Sequence, residues 1–167
     1  FDGLYLSGIT LAILPQNLRL ALLEWLQTAQ VQVIFDSNYR PHLWEDHATA
    51  HKIIAGFWQR ADISLPSIDD EMEIFGQTEA QVEQRFLTQA KSGALKRGAR
   101  GPLSLGTPVV AQYEPVTDVL DTTAAGDSFN GGYLGALLSG KGQAAALQAG
   151  HALAAQVVQY RGAIIPK

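Results

Sequence analysis

One carboxylate in this chain stands where an acid can do more than solvate a surface. In "DTTAAGDSFNGGYLGALL", Asp121 to Leu138, Asp127 follows Ala124, Ala125 and Gly126 and opens an apolar pattern of helical period. Helix N-termini carry backbone N–H groups without internal partners and a partial positive charge, so they bind anions. Residues with almost no side chain let a phosphate oxygen come close to those amides. A carboxylate in the same first turn does not attract phosphate; it removes a proton. The pattern can therefore serve phosphoryl transfer. The amides of Ala125, Gly126 and Asp127 would receive the migrating group, and Asp127 would take the proton of the attacking hydroxyl. The plain structural alternative is that Asp127 complements the helix dipole while Asp121 or Thr123 caps the helix.

The rest of the composition narrows the classes of function. With 167 residues, 47% of them hydrophobic, the chain has the length and apolar content of one domain with a continuous core. A net charge of -4 and a pI near 5.5 give no basic footprint for nucleic acid. Cysteine is absent, which excludes disulfides and thiol catalysis, and the cytoplasm is the expected compartment. The opening "FDGLYLSGIT" carries an acid and no basic region, so it does not read as a signal peptide. The apolar tract from Ala144 to Val158 is interrupted by Gln148, His151 and Gln156 and is too short to span a bilayer, so no membrane role is expected. No GxxxxGK[ST] loop, helix-opening GxGxxG or GxSxG elbow is present. His47 and His51 have the spacing of a metal pair, but "HATAH" lacks the glutamate of a zinc-protease motif, and an exposed helix face is expected there.

Elements that could position Asp127 follow from the periodicity. Strands are expected at Leu4 to Ile9, Val31 to Phe35 and Ile63 to Leu65, and helices at Gln16 to Gln30, Leu43 to Arg60, Asp69 to Phe75 and Glu79 to Ala90. Short extended runs at Ala94 to Lys96, Leu103 to Leu105 and "PVVAQYEPV" precede two closing helices, Gly126 to Leu138 and Gln143 to Tyr160. Alternation of this kind implies an α/β fold with a mostly parallel sheet covered on both faces. In such sheets ligands bind beyond the carboxyl ends of the strands. "FDSNYR", "LPSIDDE" and "DTTAAGD" all fall at such turns.

"DTTAAGDSFNGGYL" resembles the C-terminal signature of the ribokinase-like (PfkB) carbohydrate kinases, usually written DTTGAGDSF. "FDSNYRPHLW", "LPSIDDEMEIFG" and "VVQYRGAIIP" stand in the expected order around it. The combination is similar to the branch of that family acting on the sugar acid 2-keto-3-deoxygluconate. The resemblance implies a three-layer α/β/α ribokinase-like fold with a mostly parallel sheet, here without the N-terminal part and the β lid. Residues 1–167 would then be the C-terminal portion of a single kinase domain, its ATP-binding and catalytic half.

The implied activity is ATP-dependent phosphorylation of 2-keto-3-deoxygluconate to its 6-phosphate in sugar-acid catabolism. The implied cofactors are ATP and Mg²⁺, with a monovalent cation such as K⁺. By resemblance Asp127 is the catalytic base and Ala124, Ala125 and Gly126 are the anion-hole segment, Ala124 replacing the commoner glycine. "KRGARG", with Lys96, Gly98, Ala99 and Gly101, matches the loop that lies along ATP. Asn38 and Arg40 match positions reaching the phosphates and the acid substrate, and His151 sits where the closing helix borders the adenine pocket. Asp70 or Glu71 matches the acid that holds Mg²⁺ through water.

Structural alternatives stand beside each role: an Asx turn for Asn38, a surface arginine for Arg40, a hairpin turn for "GARG", a core histidine for His151 and helix capping for the acids. Another PfkB sugar kinase, of fructokinase or ribokinase type, and a noncatalytic nucleotide-binding fragment also stay open. So does a homo-oligomer, because the lid that often mediates dimerisation in such kinases would lie before Phe1. Family members carry longer runs near Ser92 to Ala94 and near Leu105 to Thr107, which implies residues absent from this chain at both places.

Overall fold

A computed structural model describes residues 1–165; Pro166, which ends the tail motif, lies outside the described residues. The chain forms two compact units, Phe1–Leu95 and Lys96–Lys167.

In the first unit four strands lie side by side in chain order: β1 (Gly3–Ser7), β2 (Gln32–Asp36), β3 (Ile63–Ser64) and β4 (Gly93–Leu95). All three pairings are parallel, with Leu4 opposite Val33, Ile34 opposite Ile63 and Ser64 opposite Gly93. Between them run α1 (Gly8–Ile13), α2 (Gln16–Thr28), α3 (His47–Arg60), α4 (Ile68–Phe75) and α5 (Glu79–Gln89). Leu11, Leu26, Phe35, Ile54 and Phe57 are fully enclosed and form the centre of the core. Phe35 meets Trp58 edge-on at 4.5 Å, and Trp58 meets Phe86 at 5.1 Å, so the aromatics continue the core toward α5.

At two of the boundaries that differ from the sequence pattern, a cap is the cause. The first strand stops at Ser7, whose hydroxyl accepts the Thr10 N–H at 3.3 Å and starts α1 at Gly8. A side chain at Gly8 would collide with the Ser37 carbonyl, to which the Gly8 amide donates at 3.1 Å. Farther on, a 3₁₀ turn at Pro41–Leu43 precedes α3, which begins only after Asp46 accepts the Thr49 amide at 2.7 Å. Arg19, 1% exposed, finishes α1: its guanidinium binds the Leu11 and Ala12 carbonyls, pairs with Glu45 at 2.8 Å and lies over Trp44.

The second unit contains a 3₁₀ turn at Gly98–Arg100, β5 (Leu103–Leu105), α6 (Ala125–Leu138) and α7 (Gln143–Val157). "PVVAQYEPV" forms no strand, a correction to the extended run expected there. The helices α6 and α7 approach closely because two glycines allow it. A Cβ on Gly132 would fall 2.6 Å from the Ala149 carbonyl, and one on Gly150 would fall 2.9 Å from Phe129. Tyr133 donates to Gln143, which in turn donates to Ser104, so hydrogen bonds also join α6, α7 and β5. Among the described residues no helix is long and apolar enough to cross a membrane.

Candidate functional site

In the second unit the critical turn is the entry to α6. Ala124 occupies the N-cap position in a left-handed conformation, φ 60° and ψ 11°, and no side chain caps the helix. This conformation is one that L-residues with a Cβ avoid and glycine adopts freely, which gives a physical reason for the glycine more common at this position. The Ala125 amide turns back to the Thr122 carbonyl at 3.1 Å. The amides of Gly126 and Asp127 follow it in the first turn, where helix geometry offers no internal acceptor. Asp127 itself is exposed, outside any closed interior.

Asp121 does not cap α6. One carboxylate oxygen accepts the Thr123 amide at 2.8 Å and the other accepts the Gly162 amide at 2.9 Å, while the Leu120 and Asp121 amides both reach the Val158 carbonyl. A hydrogen bond from the Thr123 side chain, then the Gly162 and Thr123 amides, with Arg161 adding a smaller attraction, hold the Asp121 carboxyl down at about 2. They also explain why "DTT" and "YRG" occur together, since the tail supports the approach to the helix tip. Neither the spacing nor the composition carried that signal.

Lys96 brings its ammonium to the same tip, with Nζ 3.6 Å from where a Cβ on Gly126 would stand. The turn after it needs its glycines. Gly98 and Gly101 have φ of 56° and 73°, and a Cβ on Gly101 would lie 2.6 Å from the Tyr113 ring. Ala99 is exposed between them. Tyr113, unremarked in the sequence, lies against Gly101 on one hand and the His151 ring on the other, the ring centroids 5.0 Å apart. Burial pushes its phenol up, with Arg97 opposing. His151 is half-buried and shares a hydrogen bond with the Glu114 carbonyl at 3.1 Å.

In the first unit the turn after β2 is held from several sides. Asp36 is buried and accepts from the Tyr5 hydroxyl at 3.1 Å. Asn38 has φ 29°, a left-handed backbone that asparagine tolerates better than most residues. The Tyr39 amide donates to Asp70 Oδ2 at 3.1 Å, and Arg40, exposed, donates back to the Tyr39 carbonyl at 2.6 Å. Thus Asp70, from α4, bonds the turn that carries Asn38 and Arg40.

Glu71 is elsewhere. It is 0% exposed, accepts from Trp58 Nε1 at 3.1 Å and pairs with Arg85 at 2.8 Å. Arg85 in turn lies over the Phe75 and Phe86 rings. Burial pushes the Glu71 carboxyl up to about 7 although Arg85 and Ser37 work against it.

Glu71 is enclosed and ion-paired, Asp70 is engaged by the Tyr39 amide, and among the described residues no group of three His, Cys, Asp or Glu could hold an ion. His47 meets the Glu73 carbonyl and His51 the Phe75 ring.

A family model described as pfkB family carbohydrate kinase matches residues 1–167. The chain belongs to that family. Among PfkB relatives, it is 41% identical to 2-dehydro-3-deoxygluconokinase of Escherichia coli (strain K12) over 177 aligned positions, which cover 100% of this chain and 57% of the relative. It is 36% identical to the enzyme of that name from Haemophilus influenzae (strain ATCC 51907 / DSM 11121 / KW20 / Rd), covering 99% and 56%. Among solved structures, the PfkB chain is similar to aminoimidazole riboside kinase from Salmonella enterica complexed with aminoimidazole riboside and an ATP analog. There the TM-score is 0.79 at 28% identity, over 95% of this chain and 57% of that one. The chain thus has a ribokinase-like fold, and it spans little more than half the length of these relatives.

Proposed function

We propose that the whole protein transfers the γ-phosphoryl group of ATP to the primary hydroxyl of 2-keto-3-deoxygluconate, giving the 6-phosphate, and that this chain is its C-terminal, ATP-binding and catalytic portion. The observation that carries this reading is the 41% identity to the Escherichia coli 2-dehydro-3-deoxygluconokinase across the full chain. The uncapped tip of α6 supports it. There the Gly126 and Asp127 amides, with Ala124 and Ala125 shaping the turn, would receive the migrating group, and the Lys96 ammonium would offset its charge. Asp127, in that same first turn, accepts the proton of the attacking hydroxyl as the P–O bond forms.

Gly98, Ala99 and Gly101 would lie along the nucleotide, with His151 and its partner Tyr113 at the base. Asn38 and Arg40 would meet the anionic ends of the substrates, a task suited to a guanidinium. ATP, Mg²⁺ and a monovalent cation such as K⁺ are the cofactors this reading implies, and the proton transfer rests on Asp127 alone. The cytoplasm is the compartment where ATP would reach such a site.

A coupled assay of ADP release with ketodeoxygluconate, fructose, ribose and 5-dehydro-2-deoxygluconate tests the proposal. Saturable turnover with strong preference for ketodeoxygluconate is expected. Preference for a neutral sugar, or for the 5-dehydro acid whose Bacillus licheniformis kinase is 34% identical over 93% of this chain, would assign another substrate within the family. ATP binding without turnover of any acceptor would leave a nucleotide-binding protein.

A further inference from the structure

We propose that Asp70 is a positioning residue whose carboxylate holds the Asn38–Arg40 turn in shape by accepting the Tyr39 amide. The turn requires such a device, because Asn38 carries a φ of 29°, a strained value for a residue with a side chain. Conformations of that kind persist where surrounding bonds over-determine them. Here the bonds come from the first turn of α4. Ser37 Oγ accepts the Ser67 amide at 2.8 Å, and the Ser37 hydroxyl reaches the Glu71 carboxylate. One residue before Glu71, Asp70 takes the Tyr39 N–H at 3.1 Å.

The helix bearing Asp70 is itself immobilised. Glu71 is fixed by Arg85 at 2.8 Å and by Trp58 at 3.1 Å, so its neighbour presents a carboxylate from a rigid base. Tyr39 is 4% exposed and cannot swing away to water. With its amide on Asp70 and its carbonyl on Arg40, the peptide planes flanking Tyr39 are set, and with them the direction of Asn38 and Arg40.

This assignment differs in its consequences from a metal role for the same acid. An amide oxygen at position 70 still accepts from Tyr39 but has lost the charge a cation would need. Asp70→Asn and Asp70→Ala therefore separate the two. In hydrogen exchange on the whole protein without ligands, the Tyr39 amide is expected to exchange about tenfold faster or more in Asp70→Ala. It should stay within about threefold of wild type in Asp70→Asn. Unchanged exchange in Asp70→Ala overturns the proposal. Should the alanine variant not fold, Asp70→Ser replaces it, its hydroxyl being too short to span the gap.

The kinetic arm rests on the kinase reading and the exchange arm does not, so failure of one is distinguishable from failure of the other. Asp70→Ala is expected to raise KM for the anionic substrates about tenfold with kcat changed far less, and Asp70→Asn to restore it. An equal rise in the Mg²⁺ concentration for half-maximal rate in both variants would overturn the positioning role.

Discussion

Replacing Ala124 with glycine tests the geometry on which the α6 tip depends. Ala124 is held at φ 60° and ψ 11°, where the Cβ of an L-residue crowds the backbone at a cost of roughly 1–2 kcal/mol. Glycine removes that crowding but gives the unfolded chain more freedom, which offsets roughly 0.4–1 kcal/mol of the gain. The net expectation is about 0.8 kcal/mol of added stability, or ~2 °C in Tm for a domain of this size. Ala124→Val, with a branched side chain in the same conformation, should move the other way by a comparable amount. The tryptophans Trp25, Trp44 and Trp58 all belong to the first unit, so their fluorescence would miss the change. Helical circular dichroism during urea unfolding, with hydrogen exchange at α6, reads the unit concerned. Since both residues keep the backbone amides, turnover should change little. A glycine variant no more stable than wild type would refute the left-handed cap and the account of the tip built on it.

Asp127→Asn should leave the melting temperature and ATP affinity close to wild type yet lower kcat by about 10²–10⁴-fold, as isothermal titration and the coupled assay would reveal; unchanged kcat would remove Asp127 from the chemistry. Glu71→Ala leaves Arg85 facing a space without its charge, and chemical denaturation should register a loss of about 3 kcal/mol, whereas Glu71→Met, which fills the volume, should lose less. Because the Glu71 carboxyl sits above its ordinary range at about 7, its contribution to folding is most favourable below the unfolded value and declines as pH rises through 7. Stability measured across pH 5 to 8 should lose that slope in Glu71→Gln. Asp121 has the opposite sign: held at about 2, it stabilises the folded tip at pH above its unfolded value of 3.8 and loses that effect as pH falls toward 2. Asp121→Asn should therefore flatten the acid limb of the unfolding curve, and an unaltered limb would contradict the bond to Gly162.

Much of the path from residues to fold was legible because it is local. The alternation of apolar runs with helical periods located α2, α5, α6 and α7 to within a few residues and implied the parallel sheet. Caps were harder to read. "LSGITLAI" looks like one apolar stretch, and what divides it is a hydroxyl at Ser7 and the need of Gly8 to fit beneath the Ser37 carbonyl, a contact with a residue far along the chain. For α3 the cap Asp46 was present in the sequence but masked by the helical look of the 3₁₀ turn before it.

The candidate site divides in the same way. Residue identity and order alone determined that small residues precede Asp127, that glycines punctuate the loop after Lys96 and that the chain carries the signature of its family, because a helix tip and a turn draw on neighbouring residues. Tertiary structure decided which of two adjacent acids faces the Asn38 turn and which is sealed against Arg85. It also decided that Asp121 serves the tail rather than α6, and that Tyr113 stands between Gly101 and His151. Those outcomes depend on which groups from distant parts of the chain are brought within about 3 Å of one another, and hydrogen bonds and desolvation act only at that range.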